Sequence, residues 1–168
     1  MMSCSTLAIA IALVIGLQAP PGAQAPKSTE VRVVGSTSSI LLTPAAPEAV
    51  SHNRRIAFLS FSSKSYRFKG DRAAVRVPGG SSSLELTGSD PIDADDVWVV
   101  RLHLKDGSRV VGHTSSPEHP YDKGDVIATT VTPATGATPQ ALRLKIAALA
   151  PGEYAVIVGR LFFDFGVD

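Results

Sequence analysis

The segment Leu149-Ala-Pro-Gly-Glu-Tyr154, which leads directly into the apolar residues Ala155–Val158, is the part of the chain that decides the fold. A Pro-Gly turn that places a Tyr at the start of a buried strand predicts that the ring enters the core. The Tyr hydroxyl is then expected to bond to a backbone group a few residues upstream. Such a bond fixes a crossover between two sheets, so the segment predicts a β-sandwich. It indicates no chemistry.

Short apolar stretches separated by turn residues recur along the chain, at the spacing typical of a sandwich. No stretch keeps a period of 3.6 residues for three turns, so the sequence predicts an all-β protein. The predicted strands are Val31–Val34, Ile40–Leu42, Ile56–Phe61, Ala74–Val77, Leu84–Leu86, Val97–Leu104, Arg109–His113, Val126–Val131, Gln140–Ala147, Tyr154–Val158 and Leu161–Phe165.

A turn at Asp106-Gly107 joins two of these strands, and as a two-residue loop it places Lys105 opposite Ser108. Side chains alternate along a strand, so the strand before the turn has two distinct faces. The face expected to form the core carries Trp98, Val100, Leu102 and Leu104. The opposite face carries Val97, Val99, Arg101 and His103.

These features resemble the immunoglobulin-like β-sandwich over roughly the last hundred residues. The segment Leu149–Tyr154 is similar to the tyrosine corner of that family, and Trp98 lies on the strand where immunoglobulin domains keep a core Trp. The paired cysteines of the family are absent, and Val156 takes the place of the second one. The resemblance implies an immunoglobulin-like antiparallel β-sandwich with extra N-terminal strands.

The first residues predict export. Leu7–Leu17 is an eleven-residue apolar run, too short to span a bilayer, and Ala23-Gln-Ala25 has the form of a cleavage site. The predicted organisation is a signal peptide over 1–25, an N-terminal extension with short strands over 26–61, and the sandwich domain over 62–168. We therefore expect a periplasmic or secreted protein with no membrane span after signal cleavage.

The second half of the chain, from Ala74-Val-Arg-Val77 to Phe163-Asp-Phe-Gly-Val-Asp168, resembles small exported bacterial proteins of unassigned function. This resemblance implies a bacterial envelope setting. The only Cys, Cys4, lies in the predicted signal peptide, so the mature chain has no disulfide. The net charge of +1, together with export, argues against nucleic acid as a partner.

Charge is unevenly distributed along this nearly neutral chain. Seven Lys or Arg lie between Arg54 and Arg76 against one acidic residue, and Glu85–Asp96 holds five acidic residues and no basic one. Within the basic stretch, Lys64-Ser-Tyr-Arg-Phe-Lys69 alternates, which predicts a strand with one aromatic face and one cationic face. The cationic face of such a strand suits an anionic ligand. The same alternation is also ordinary for a half-buried strand that binds nothing.

Two clusters in the sequence contain residue types that commonly bind metal ions. His113, Glu118 and His119 lie in one loop and offer imidazole and carboxylate ligands suited to zinc or copper, although a polar loop explains them as well. A second loop offers carboxylate oxygens suited to calcium, and a charged turn is the alternative reading. Its acidic residues are Asp90, Asp93, Asp95 and Asp96.

Catalytic signatures are missing from the sequence. It has no Gly-x-Ser-x-Gly elbow, no Cys in the mature chain and no phosphate-binding glycine loop, so an enzyme is not expected.

The last strand places Phe163 and Phe165 on one face and Phe162 on the other. Both faces need a cover, either from the N-terminal segment or from a partner that adds a strand to this edge.

The sequence therefore predicts an exported, non-catalytic binding or assembly module of the bacterial cell envelope. It would act through an edge strand, with Phe162, Phe163 and Phe165 as the partner-binding residues, or through the loops at one end of the sandwich. The expected partner is an envelope protein. The alternative is a periplasmic metal-binding protein that uses the His113–His119 loop.

Overall fold

The computed structural model describes residues 28–35, 39–56, 59–80, 83–114, 120–134 and 141–168. The predicted signal peptide lies outside these ranges. The strands are β1 (Thr29–Val34), β2 (Ser39–Leu42), β3 (Pro44–Ala45), β4 (Glu48–Ile56), β5 (Leu59–Lys69), β6 (Arg76–Val77), β7 (Ser83–Gly88), β8 (Val97–Lys105), β9 (Ser108–His113), β10 (Thr129–Pro133), β11 (Ala141–Ile146), β12 (Gly152–Val158) and β13 (Leu161–Val167).

The strands form two sheets, and the prediction of an all-β protein is confirmed. The smaller sheet has the order β10-β11-β7-β1-β2, and the larger one has the order β3-β13-β12-β8-β9-β5-β4. The short β6 runs parallel to β13, and the other pairings among these strands are antiparallel. In the described part of the chain no helix has the length and apolar character that a membrane span requires.

The N-terminal strands are integral to both sheets. β1 lies between β2 and β7, with Val31 opposite Leu42 on one side and Leu86 on the other. The predicted limit of the N-terminal extension, at residue 61, falls within β5. The single strand expected over Ile56–Phe61 is wrong, because Ile56 ends β4 and pairs with Leu59 at the start of β5.

One core lies between the two sheets. The Tyr154 side chain is buried in it, with 2% of its surface exposed, and its ring stacks on Phe165 at a centroid distance of 5.7 Å. The Tyr154 hydroxyl donates a hydrogen bond of 2.8 Å to the carbonyl oxygen of Ala150. The hydroxyl bond predicted from the Pro-Gly turn is therefore confirmed.

Removing this hydroxyl should destabilise the protein. We expect Tyr154→Phe to lower the free energy of unfolding by about 1 kcal/mol or somewhat more, because the Ala150 carbonyl loses its partner. Tyr66→Phe is the matched control, since the Tyr66 hydroxyl has no hydrogen-bond partner among the described residues. Urea unfolding of the two variants measures the difference, and equal stabilities would contradict the assignment.

A second core lies on the opposite face of the larger sheet. Phe162 of β13 contacts Tyr66 of β5 at a ring-centroid distance of 4.6 Å, although β13 and β5 are four positions apart in the sheet. In a flat sheet that separation is about 19 Å. The larger sheet therefore curls, so that β5 and β9 cover the outer face of β12 and β13. We call β4, β5 and β9 the arm.

The two faces of β8 contact the opposite surroundings from those expected. Val97 and Val99 point into the core between the sheets, whereas Val100 and Leu102 point into the second core, with Trp98 packed at its edge. The assignment of the Trp98 face to the sandwich core is wrong. Alternation does not distinguish the two faces of β8, because both are covered over Val97–Leu102.

The turn between β8 and β9 forms as predicted. Asp106 and Gly107 have positive φ angles of 50° and 70°, as a type I′ turn requires, and Lys105 lies opposite Ser108. His103 consequently lies opposite Val110. This register decides which side chains of the arm share a face with those of β8.

Candidate functional site

The aromatic residues of β13, predicted to bind a partner, are covered by the protein itself. Phe163 and Phe165 are fully buried in the core between the sheets, and Phe162, 9% exposed, lies in the second core. The outer edge of β13 pairs with β3 through Phe162 and Phe163 and with β6 through Gly166 and Val167. The cover that these rings need comes from β5 and the N-terminal strands.

Of the predicted zinc or copper ligands, the structure describes His113 alone, because Glu118 and His119 lie outside the described residues. His113 ends β9, and its ring meets Tyr66 and Tyr121 edge-on at centroid distances of 5.6 and 5.4 Å. Burial of the ring lowers the pKa of His113, and the nearby charge of Lys64 lowers it further. The neutral imidazole is therefore favoured.

This lowered pKa predicts a loss of stability in acid. When the pH falls below the ordinary His pKa, the unfolded chain takes up a proton at His113 before the folded protein does, so acidification favours unfolding. The loss stops below the folded pKa. We expect His113→Asn to shrink the drop in Tm between about pH 7.5 and about pH 5.5, and Lys64→Met to shrink it less. An unchanged drop in His113→Asn would contradict this account.

Of the aspartates predicted to bind calcium, Asp95 and Asp96 lie in a short 3-10 turn, Ala94–Asp96, and Asp90 and Asp93 precede it. The Asp93 side chain accepts a hydrogen bond of 3.0 Å from the Asp95 amide and so caps the turn, while the Asp96 carbonyl accepts one from Gly159. Asp90, Asp93 and Asp96 border a cleft of about 240 Å³. Across the described ranges, no group of three or more His, Cys, Asp or Glu side chains is placed to hold a metal ion.

A different set of residues, drawn from β8, β9 and β5, forms the most distinctive surface. The smaller sheet covers Val97 and Val99 on one face of β8 but leaves the rest of that face uncovered. The uncovered face continues across β9 and β5. We call this uncovered surface the cationic groove. It consists of Arg101, His103 and Lys105 on β8, Ser108, Val110 and Gly112 on β9, and Ser65, Arg67 and Lys69 on β5.

The register gives the groove two walls and a floor. Val110 lies between His103 and Arg67, and Ser108 lies between Lys105 and Lys69. The two walls are two strand spacings apart, about 10 Å. The floor carries small side chains, and a Cβ at Gly112 would have no atom within 4 Å. The groove is therefore open to solvent along β9.

The opposite faces of the same strands are buried, except at Leu104 near the end of β8. Tyr66 and Phe68 of β5 pack in the second core with Leu102 of β8 and Val111 of β9. The alternation predicted for Lys64–Lys69, with an aromatic face and a cationic face, is confirmed for these residues. The aromatic face holds the arm in place, and the cationic face is left for solvent or a ligand.

The groove carries an excess of positive charge. None of its four permanent cations forms an ion pair with a described carboxylate, although Glu48 of β4 lies opposite Arg67 at the outer border. The buried Nε of Arg67 also has no hydrogen-bond partner among the described residues. In the middle of the β8 wall, His103 Nε2 donates to the Asp125 carboxylate at 2.5 Å, which orients the ring. A ligand with acceptor oxygens would complement this surface.

Arg101 and His103 of the groove also line a cleft of about 700 Å³ between β8, the start of β12 and residues 71–72. Leu104, 64% exposed, and the charged residues Arg72 and Glu153 line the same cleft.

A buried ionic cluster holds the arm against the sandwich. Arg109 of β9, 4% exposed, forms an ion pair with Asp164 of β13 and lies 3.7 Å from Glu153 of β12. Its guanidinium also donates to the carbonyls of Lys69 and Gly70. These bonds connect β9, the end of β5, β12 and β13, so the groove stands on a rigid base.

Arg76 extends the cluster through an ion pair with Glu153, and its Nη2 donates to the carbonyl of Val167. The guanidinium lies directly over Gly166, where a Cβ would be 1.6 Å from Nη1. A larger residue at position 166 would therefore displace the Arg76 guanidinium from its ion pair with Glu153. Nothing in the sequence pattern distinguishes Arg109 or Arg76 from the other strand cations.

The sequence analysis identified one wall of the groove, in Lys64–Lys69, and missed the other. Arg101 and Lys105 are distant in sequence from Arg67 and Lys69, and only the pairing of β8 with β9 and of β9 with β5 brings them together.

Comparison with protein families, with curated proteins and with solved structures finds no match for this chain.

Proposed function

We propose that this protein is an exported, non-catalytic binding module of the bacterial cell envelope, and that it binds a partner protein through the cationic groove. The observation that carries the proposal is the exposed half of the larger sheet, whose cations lack ion-pair partners while its opposite face is packed. Fixed cations on a rigid surface suit recognition, since they attract and orient a partner.

The strand order supports an immunoglobulin-like identity for this module. In such domains one sheet has the order A-B-E-D and the other contains C, F and G. The orders β1-β7-β11-β10 and β9-β8-β12-β13 correspond to A-B-E-D and C′-C-F-G. On this reading β2, β3, β4, β5 and β6 are additions, and the two added strands of the arm, β4 and β5, extend the C′ edge.

Export is supported by the apolar run Leu7–Leu17 and by the small residues of Ala23-Gln-Ala25. A binding role in the envelope agrees with this location and with a chain that carries no catalytic signature. Fold alone does not give a function, so the proposal depends on the groove.

Site-specific photo-crosslinking in the cells that produce the protein tests the binding role. A photoreactive side chain at Gly112 would stand in open space on the groove floor, and one at Lys145, exposed on β11 of the other sheet, is the matched control. We expect one discrete adduct of constant mass from position 112 and none from position 145. The same adducts from both positions, or none from 112, would refute the proposal.

A second candidate function is periplasmic metal binding by the His113–His119 loop. The sequence supports it, because His113, Glu118 and His119 place two imidazoles and a carboxylate within seven residues. If this function holds, zinc raises the Tm of the protein relative to a chelator, and His113→Ala abolishes the rise. The absence of any zinc effect on the wild-type protein would exclude it.

A further inference from the structure

We propose that the ligand of the cationic groove is an extended acidic segment of a partner protein, with Asp or Glu at alternate positions. The inference rests on the proposed binding function and names the chemistry that the groove recognises. The segment would lie along β9, between the walls formed by β8 and β5.

The spacing of the cations supports an extended peptide. Along β8 the basic side chains repeat every second residue, at Arg101, His103 and Lys105, and along β5 they repeat at Arg67 and Lys69. Two residues of a strand span about 6.6–6.8 Å. In an extended ligand, carboxylates at alternate residues repeat at the same distance and point to one side, so they match the positions of these donors.

The width of the groove supports the same ligand. The walls are about 10 Å apart with β9 between them, so one extended chain can lie over β9 between the two rows of side chains. The floor residues Ser108, Val110 and Gly112 project little, so a chain can lie close to β9. Arg67 offers a planar guanidinium, which suits a carboxylate.

Single-stranded nucleic acid fits less well. Proteins that bind it combine cations with aromatic side chains on which the bases stack. The described aromatic residues of β5, Tyr66 and Phe68, face the second core instead of the groove. An inorganic polyphosphate has charge without bases, and it serves as the competing ligand in the test.

The test is a titration of the purified full-length protein, followed by calorimetry, with three probes of equal charge. The first is a peptide of about ten residues in which Glu and Thr alternate, long enough to run about 33 Å when extended. The second is an isomer with all Glu residues together, and the third is polyphosphate. We expect the alternating peptide to bind most tightly, with an affinity that falls as salt is added.

Two variants with the same change in net charge locate the site. Lys69→Glu with Lys105→Glu reverses one cation on each wall, whereas Lys145→Glu with Arg160→Glu reverses two exposed cations outside the groove. We expect the first variant to bind the alternating peptide at least about tenfold more weakly. The second should stay within about twofold of the wild type. Circular dichroism and Tm show whether each variant is folded.

Three results would overturn the proposal: equal losses in both variants, tighter binding of polyphosphate or of the blocked isomer, or no binding of the alternating peptide. They are distinguishable from failure of the binding function itself. A discrete adduct at Gly112 without peptide binding would retain a partner at this surface and reject an acidic segment as its recognition element.

Discussion

Replacement of Arg109 by Met should lower the free energy of unfolding by about 3–5 kcal/mol, because it leaves the Asp164 carboxylate without its buried partner, while Glu153 keeps its ion pair with Arg76. Met has a similar length and keeps the contact with the Phe68 ring, over which the guanidinium lies at 5.7 Å. The expected loss therefore comes from uncompensated charge and not from a cavity. Urea unfolding at neutral pH measures it.

The matched control for Arg109 is Arg143→Met. Arg143 forms an ion pair with Glu85 on the surface of the smaller sheet, where solvent screens the charges. Removal of an exposed pair costs about 1 kcal/mol or less. Adding Asp164→Asn to Arg109→Met should recover part of the loss, since the two groups interact directly. Equal effects of Arg109→Met and Arg143→Met would show that the buried cluster does not hold the arm.

Phe165→Ala is the second substitution with a large expected effect, a loss of about 3–5 kcal/mol in the free energy of unfolding. Phe165 is fully buried between the sheets and stacks on Tyr154, so truncation leaves a cavity beside the Tyr154 ring. Guanidinium or urea unfolding gives the loss, and near-UV circular dichroism should report looser packing of Tyr154.

Leu104→Ala is the control for Phe165→Ala. Leu104 is also an apolar strand residue, but it is exposed at the cleft, and its truncation should change stability by less than about 0.5 kcal/mol. Comparable losses in the two variants would mean that the last strand is not the centre of the core. That result would also remove the basis for treating β13 as covered by the protein's own strands.

Local signals in the sequence predicted much of the architecture. The Pro-Gly turn before Tyr154 predicted the hydroxyl bond, since that bond joins residues four positions apart. The Asp106-Gly107 turn predicted the register of β8 and β9 because a two-residue loop permits one pairing. Most strand positions followed from short apolar runs between turn residues.

Predictions that required distant contacts were less successful. The strand Val97–Leu102 is apolar on both faces, so its pattern did not show that Val97 and Val99, rather than Trp98, face the smaller sheet. The rings of Phe162 and Phe163 clearly needed covers on opposite faces, but the sequence did not say whether a partner or β5 provides the one over Phe162. Glu118 and His119 lie outside the described residues, so the metal loop stays a prediction.

The all-β class, the turns, the corner at Tyr154 and the two-faced character of Lys64–Lys69 follow from the sequence, because each depends on neighbours within a few residues. The curl of the larger sheet, the burial of Arg109 and the cationic groove depend on the three-dimensional arrangement of the strands. Each of these joins strands that are distant in sequence, and their pairing follows from which apolar faces find a cover. The groove exists because the aromatic face of β5 is buried, which leaves its cations outside.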